Sequence, residues 1–346
     1  MCAISRKSDS RIEVIRVHIK LLRPKHIEIH GKMTRCFSGD WIEVGRQTAN
    51  KWVANGDAVI GARKDPFLTL PSLEDFSMTI FCLPFPFVGK HLREQQNAIQ
   101  SWTMLGCNLE LMFLMTEKDR AVGACPFDGK TILIDADQYG TPLISSVFKT
   151  AQENAAPGEI LCYVNSDIIM LGLDGAVGRA ARAFPDLPFL VIGRRWDMDI
   201  VYSLSFEKGW QKELGRQVLT GGKRRGVDAI DFFAFRNGTF GDVPPFAVGR
   251  SAWDNWLVAD ALSRNVNVID VSMVVHPVHQ EIPARVKHQK PTKARDEQHA
   301  RNRALYDARR NGFRGITREA RFVITQDGNV IRRSDLDFVP ESILRK

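Results

Sequence analysis

Short apolar runs separated by polar turns set the frame of this chain. Ile160-Leu161-Cys162-Tyr163-Val164 is unbroken and β-prone, the pattern of a strand buried on both faces. It stops at the polar trio Asn165-Ser166-Asp167, and apolar residues resume at once with Ile168, Ile169 and Met170. Further runs predict strands at 78–83, 109–115, 132–134, 188–192, 228–235 and 266–275, with Asp231 interrupting the run at 228–235. Apolar side chains at helical spacing predict helices over 95–105, 173–184 and from about 251 to 262. Another helix is expected from Thr141-Pro142 through 151, with proline at the first helical position. Strands alternating with helices in this way predict an α/β fold with a mostly parallel sheet and right-handed crossovers. The segment 220–226, Thr-Gly-Gly-Lys-Arg-Arg-Gly, reads as a flexible basic loop.

The two ends of the chain break this rhythm. Residues 11–62 read as a small β-rich unit, with strand-like alternation at 12–17, 27–29 and 41–44 and a helix over 46–55 stopped by Asn55-Gly56. A Pro-containing linker follows at 63–75, and the main domain runs over 76–284. Residues 285–346 form a basic extension expected to pack on that domain. It has a helix around 298–308 and a hairpin, 320–324 with 330–333, turning at Gln326-Asp327-Gly328-Asn329.

Charge sharpens the picture of that extension. The net charge of +8 is concentrated between 285 and 333, where fourteen Lys/Arg stand against five Asp/Glu, so the remainder is close to neutral. Such a block either binds a polyanion, nucleic acid or anionic membrane, or is a solvated face. No apolar run approaches the ~18 residues of a membrane-spanning helix, and the polar N-terminus lacks the pattern of a secretory signal. The six cysteines are scattered without zinc-ligand spacing, which fits a reduced, cytoplasmic protein.

Asp167, just past the carboxyl end of a buried strand, lies where open α/β sheets place their ligands. A carboxylate there suits a hard divalent cation, Mg²⁺ or Mn²⁺, carrying substrate phosphates; the alternative is an Asx-turn that merely closes the strand. Ser251-x-x-Asp254 has the pattern of a helix-capping box, which gives Asp254 a structural reading beside any chemical one. Asp231, isolated in an apolar run, has no obvious structural reason to be there.

Five stretches, 96–102, 162–168, 193–197, 231–235 and 244–256, resemble in content and order the nucleotide-sugar-dependent glycosyltransferases of the GT-A fold. The resemblance covers roughly 76–333 and implies transfer of a sugar from a nucleoside diphosphate to an acceptor hydroxyl. The metal-binding D-x-D of that family is here Asn165-Ser166-Asp167, so its first carboxylate is absent and Asp167 is the implied ligand, with His279 (or its rival His276) completing the shell. By the same resemblance Pro84, Asn97, Glu117, Asn165, Asp167, Arg194, Arg195, Lys223 and Arg225 are expected around the nucleotide sugar. Asp254 is the expected base with Asp231 the second choice, and Trp253 and Asp231 are expected to contact the acceptor. Separately, residues 39–58 are similar to a small module common in bacteriophage proteins. Together with the basic extension, this makes a hydroxymethylated pyrimidine in phage DNA one expected acceptor. Polysaccharide or protein acceptors, and a non-catalytic sugar- or nucleotide-binding virion module, are the alternatives.

Overall fold

The computed structural model describes residues 69–73, 76–281, 292–309 and 311–333, together with the backbones of five strands between Arg16 and Ile60. The chain divides into two compact units, Met1–Pro66 with Arg333–Lys346, and Phe67–Arg332. In the first, β1 (Arg16–Leu21) lies between two antiparallel neighbours, β4 (Trp41–Gly45) and β5 (Ala58–Ile60). The strands β2 (Lys25–Ile29) and β3 (Lys32–Cys36) form a separate antiparallel pair. The helix expected over 46–55 falls outside the described residues, as does most of the expected linker.

The second unit is built on a nine-stranded sheet. In chain order its strands are β6 (Ser77–Cys82), β7 (Asn108–Met115), β8 (Lys130–Leu133), β9 (Ile160–Val164), β11 (Phe189–Ile192), β14 (Phe232–Arg236), β15 (Asn267–Asp270), β17 (Phe322–Ile324) and β18 (Val330–Arg332). Their spatial order is β18-β17-β15-β11-β14-β9-β6-β7-β8. All run the same way except β14 and β18. The expectation of an α/β fold with a mostly parallel sheet is met.

Both faces of the sheet are covered, and β9 shows how. Its five residues are all buried, with Ile160, Cys162 and Val164 in one apolar layer and Leu161 and Tyr163 in the other. The first layer is closed by α1 (Gly89–Thr103), through Ala98, Ile99 and Trp102, and by α4 (Leu173–Ala183), through Ala176, Val177 and Ala180. The second is closed by α3 (Ile144–Glu153) and α6 (Trp253–Ser263), through Val147, Phe148, Trp256 and Leu257. The short α2 (Glu117–Val122) follows β7, α5 (Trp210–Gly221) precedes β14, and α7 (Lys293–Arg309) follows near the end. Phe148 stacks on Tyr163 and on Phe235, each ring filling about 1.5–3 kcal/mol worth of apolar surface.

Several local expectations change. Helix α1 starts at Gly89, six residues before the apolar pattern begins, because its first turns bury polar groups. Gln95 there accepts from the Phe85 N–H and donates to the Phe85 carbonyl. Pro142 does not open α3; it forms a bridge with Ala136 and its carbonyl accepts from Val248, and the helix begins at Ile144. The run at 266–275 is a strand only over β15, after which Val271 to Val275 turn back through bonds to the Val271 carbonyl. Asp231 does not interrupt a strand: it sits just before β14. The basic segment 220–226 is the end of α5 and a short strand, β13 (Lys223–Arg224), rather than a loop.

Candidate active site

The carboxyl ends of β6, β7, β9 and β11 and the start of antiparallel β14 share one edge of the sheet. That edge gathers Pro84, Glu117, Asn165, Asp167, Arg194, Arg195 and Asp231. The pairing is direct at its centre: Phe232 is in register with Val164, and the Asn165 N–H donates to the Asp231 carbonyl at 3.1 Å.

A second, four-stranded sheet stands at this edge, in the order β10 (Ile168–Ile169), β16 (Val278–His279), β12 (Trp196–Asp197), β13. Its register sets Ile168 opposite His279, His279 opposite Asp197, and Asp197 opposite Lys223. Asp167, one residue before β10, therefore meets His279: Oδ2 lies 3.4 Å from Nε2, with the carboxylate side chain 19% exposed. The other imidazole nitrogen, Nδ1, is 2.7 Å from the Glu281 carbonyl, so it carries the proton and leaves Nε2 facing Asp167. Burial disfavours a charged His279, but the Asp167 carboxylate outweighs it and raises the imidazole pKa to about 9. Burial likewise opposes ionisation of Asp167, yet His279 and Arg195 hold its pKa below the ordinary value.

Arg195 ties the edge together. Its Nη1 donates to both carboxylate oxygens of Asp231 at 3.0 and 2.8 Å, and its Nε donates to Asp197 at 2.9 Å. Asp197, 1% exposed, also faces Arg225 Nε at 3.3 Å. Arg194 donates twice to the Arg225 carbonyl, fixing the strand that follows α5. Asn165 accepts from the Tyr163 hydroxyl at 2.9 Å and donates to Asp231 at 2.8 Å. An aspartate at 165 would bring a second carboxylate against Asp231 with no proton between them, which explains the missing first acid of the D-x-D pattern.

Asp254 lies in the first turn of α6, yet the capping box does not form. The residue before the helix is Ala252, at φ 81°, with no side-chain cap, and Ser251 Oγ lies against His299 instead. A left-handed alanine stores strain of a kind that clusters at functional sites. Burial raises the Asp254 pKa to about 7; the Asn255 N–H works against this and the Asp231 and Asp228 charges reinforce it.

The remaining expected residues are placed differently. Asn97 is buried and spends its amide on the Tyr202 carbonyl, the Leu204 N–H and Gln280, shaping the loop at 200–204 rather than facing the edge. Trp253 is 7% exposed, its ring packed edge-on to Tyr163 and against Phe233, so it is a core residue and presents no stacking face to an acceptor. Pro84 is buried, whereas Glu117 and Lys223 are exposed. His276, the rival of His279, is buried at 2% exposure, and its backbone N–H donates to the Leu171 carbonyl. Gln280 was not foreseen: it donates to the Asp167 and Glu94 carbonyls and accepts from Asn97, and only its position next to His279 hints at the role.

Among the described residues no three or more His, Cys, Asp or Glu side chains converge on one point. Asp167 and His279 nevertheless fit a divalent cation. One oxygen and one imidazole nitrogen face each other, the second imidazole nitrogen is anchored on a carbonyl as in metal-bound histidines, and the carboxylate is half-buried, with part of its surface in solvent.

No protein-family model matches the sequence, and the search of curated proteins finds no relative. Among solved structures, the chain is similar to the mannosyltransferase PcManGT from Pyrobaculum calidifontis in complex with GDP-Man and Mn²⁺. The identity is 13% and the TM-score 0.40, over 79% of this chain and 74% of that one. It is also similar to glucosyl-3-phosphoglycerate synthase from Mycobacterium tuberculosis in complex with Mn²⁺, UDP and phosphoglyceric acid, at 12% identity and TM-score 0.36, over 72% and 87% of the two chains. A CMP:2-keto-3-deoxy-manno-octonic acid synthetase complexed with CTP gives 12% identity and TM-score 0.33, over 57% and 90%.

Proposed function

We propose that this protein is a glycosyltransferase that uses a nucleoside-diphosphate sugar. The observation that carries the reading is the meeting, at one sheet edge, of a cation-competent Asp167–His279 pair with the Asn165–Asp231–Arg195 network, whose Asp231 charge acts on Asp254, with a pKa near 7. Asp167 and His279 would hold Mg²⁺ or Mn²⁺, which when bound neutralises charge on the departing diphosphate. Arg225 and Lys223 stand on the adjoining strand segment with cationic groups for the same phosphates. The acceptor hydroxyl oxygen attacks the anomeric carbon of the donor, and its proton passes to the Asp254 carboxylate. The bond from that carbon to the diphosphate oxygen breaks, and its electron pair leaves with the nucleoside diphosphate. Asn165 and Arg195 touch none of the reacting atoms in this scheme; they position Asp231 beside Asp254.

A hydroxymethylated pyrimidine in DNA is one acceptor to test, with polysaccharide and protein as the others. The test is to incubate the full chain with common nucleotide sugars, Mn²⁺ and each acceptor class, and to follow release of nucleoside diphosphate. Release by the wild-type chain, lost in Asp254→Asn, is the expected result. No release with any donor overturns the reading in favour of a binding module.

A further inference from the structure

The charges of Asp228 and of Asp231, the latter tied into the Arg195 network, both act on Asp254. Asp254 is followed in α6 by Asn255, which with Asp228 lines a cavity of about 350 Å³. That volume is at the small end for ligand pockets and ample for a monosaccharide-sized molecule. Asp228, Asn255, Arg303, Tyr306, Asp307 and Arg314 line the cavity, so it is polar throughout except for one isoleucine.

The lining is held by bonds that leave its cations free. The Arg314 N–H donates to both Glu319 carboxylate oxygens at 3.0 Å, and its carbonyl accepts from the Tyr306 hydroxyl at 2.9 Å. The next carbonyl, Gly315, accepts from the Asn255 amide at 2.9 Å. Arg314 is thus fixed through its backbone on both sides, while its guanidinium has no hydrogen-bond or ion-pair partner among the described residues. The Arg303 guanidinium, on α7, is equally unpaired among them. Two guanidinium forks lining one cavity, with no partner for their donors among the described residues, suit a carboxylate or phosphate. The Asp228 carboxylate in the same lining suits a sugar hydroxyl and disfavours a long polyanion.

Resting on the glycosyltransferase reading, we propose that this cavity is the acceptor site. Its ligand is a small hydroxylated molecule bearing one anionic group, a sugar acid or a sugar phosphate, with that group on Arg303 and Arg314 and a hydroxyl turned toward Asp254. Both arginines are exposed, so their replacement leaves the core intact.

The test is direct binding to the full chain, without donor, of glucuronate, glucose 6-phosphate and neutral glucose. Wild type, the double variant Arg303→Ala/Arg314→Ala, the double lysine variant and Asp167→Ala are compared by calorimetry. The expected result is that at least one anionic probe binds and glucose binds at least tenfold more weakly. Affinity for that probe falls at least tenfold in the alanine double variant, recovers in part with lysine, and persists in Asp167→Ala. Which probe binds tells a carboxylate from a phosphate. Binding of neither anionic probe, equal binding of glucose, or unchanged affinity in the alanine variant overturns the proposal. So does sugar transfer to hydroxymethylated DNA in preference to both small acids. Nucleoside-diphosphate binding, measured on the same samples, separates failure of this site from failure of the glycosyltransferase reading.

Discussion

At position 165 the side chain donates and accepts at once, its amide set between a tyrosine hydroxyl and the Asp231 carboxylate. Asn165→Asp therefore places like charges in contact, and we expect a loss of roughly 1–3 kcal/mol in urea unfolding. Part of that loss returns in Asn165→Asp/Asp231→Asn, as a double-mutant cycle will read. Asp254 makes a different prediction. As a base it works ionised, so kcat/KM for transfer should rise with pH through a midpoint near 7 and the limb should vanish in Asp254→Asn. For stability the sign is reversed from the usual carboxylate. The folded pKa lies above the ordinary aspartate value of 3.8, so between about 4 and 7 the native state holds a proton that the unfolded chain has lost. Wild type should lose thermal stability relative to Asp254→Asn as pH rises through that window. The sequence showed Asp167, Asp231 and Asp254 as acids out of place. It did not show which neighbours tune them, because Asn165, Arg195, Asp231 and His279 are far apart along the chain.

Among the elements, long apolar runs were legible and short ones were not. The strands β6 and β9, and the second half of β7, declare themselves because they are buried on both faces. The two-residue strands β10, β12, β13 and β16 have no periodicity to read, yet they align Asp167, His279, Asp197 and Lys223. The hairpin of β17 and β18 was visible in its Asp-Gly-Asn turn. The loop at 312–317 was not, although one residue in it is unusually constrained. Gly315 has φ +67°, and a Cβ there would fall 1.8 Å from the Asn255 carbonyl oxygen, where α6 begins. Gly315→Ala should cost about 3 kcal/mol or more and lower the urea midpoint, by forcing the loop off the first turn of that helix. An unchanged midpoint would show that the loop does not clamp the helix start.

At the scale of the molecule, the basic stretch from Lys293 to Arg332 is part of the second unit's architecture. Helix α7 buries Gln298 and Asn302, with Asn302 bonding both the N–H and the carbonyl of Ala247, while β17 pairs in parallel with β15. Ending the chain before Lys293 would uncover the β15 edge and that polar socket, and we expect aggregated protein. A soluble, folded truncation would contradict it. The charge excess of 285–333 was read from composition, but composition alone does not say which arginines pair. Arg301 meets Asp137, and Arg303 and Arg314 line the cavity. Among the described residues no helix is long and apolar enough to cross a membrane.

The central claim, that one carboxylate and one imidazole form a cation-dependent diphosphate site, is tested most directly by calorimetric titration of UDP and GDP with and without Mn²⁺. The account predicts that wild type binds at least one of them, that affinity falls at least tenfold without Mn²⁺, and that Asp167→Ala and His279→Ala each abolish the Mn²⁺-dependent part. Binding of neither nucleotide, or equal binding by wild type and both variants, would contradict it.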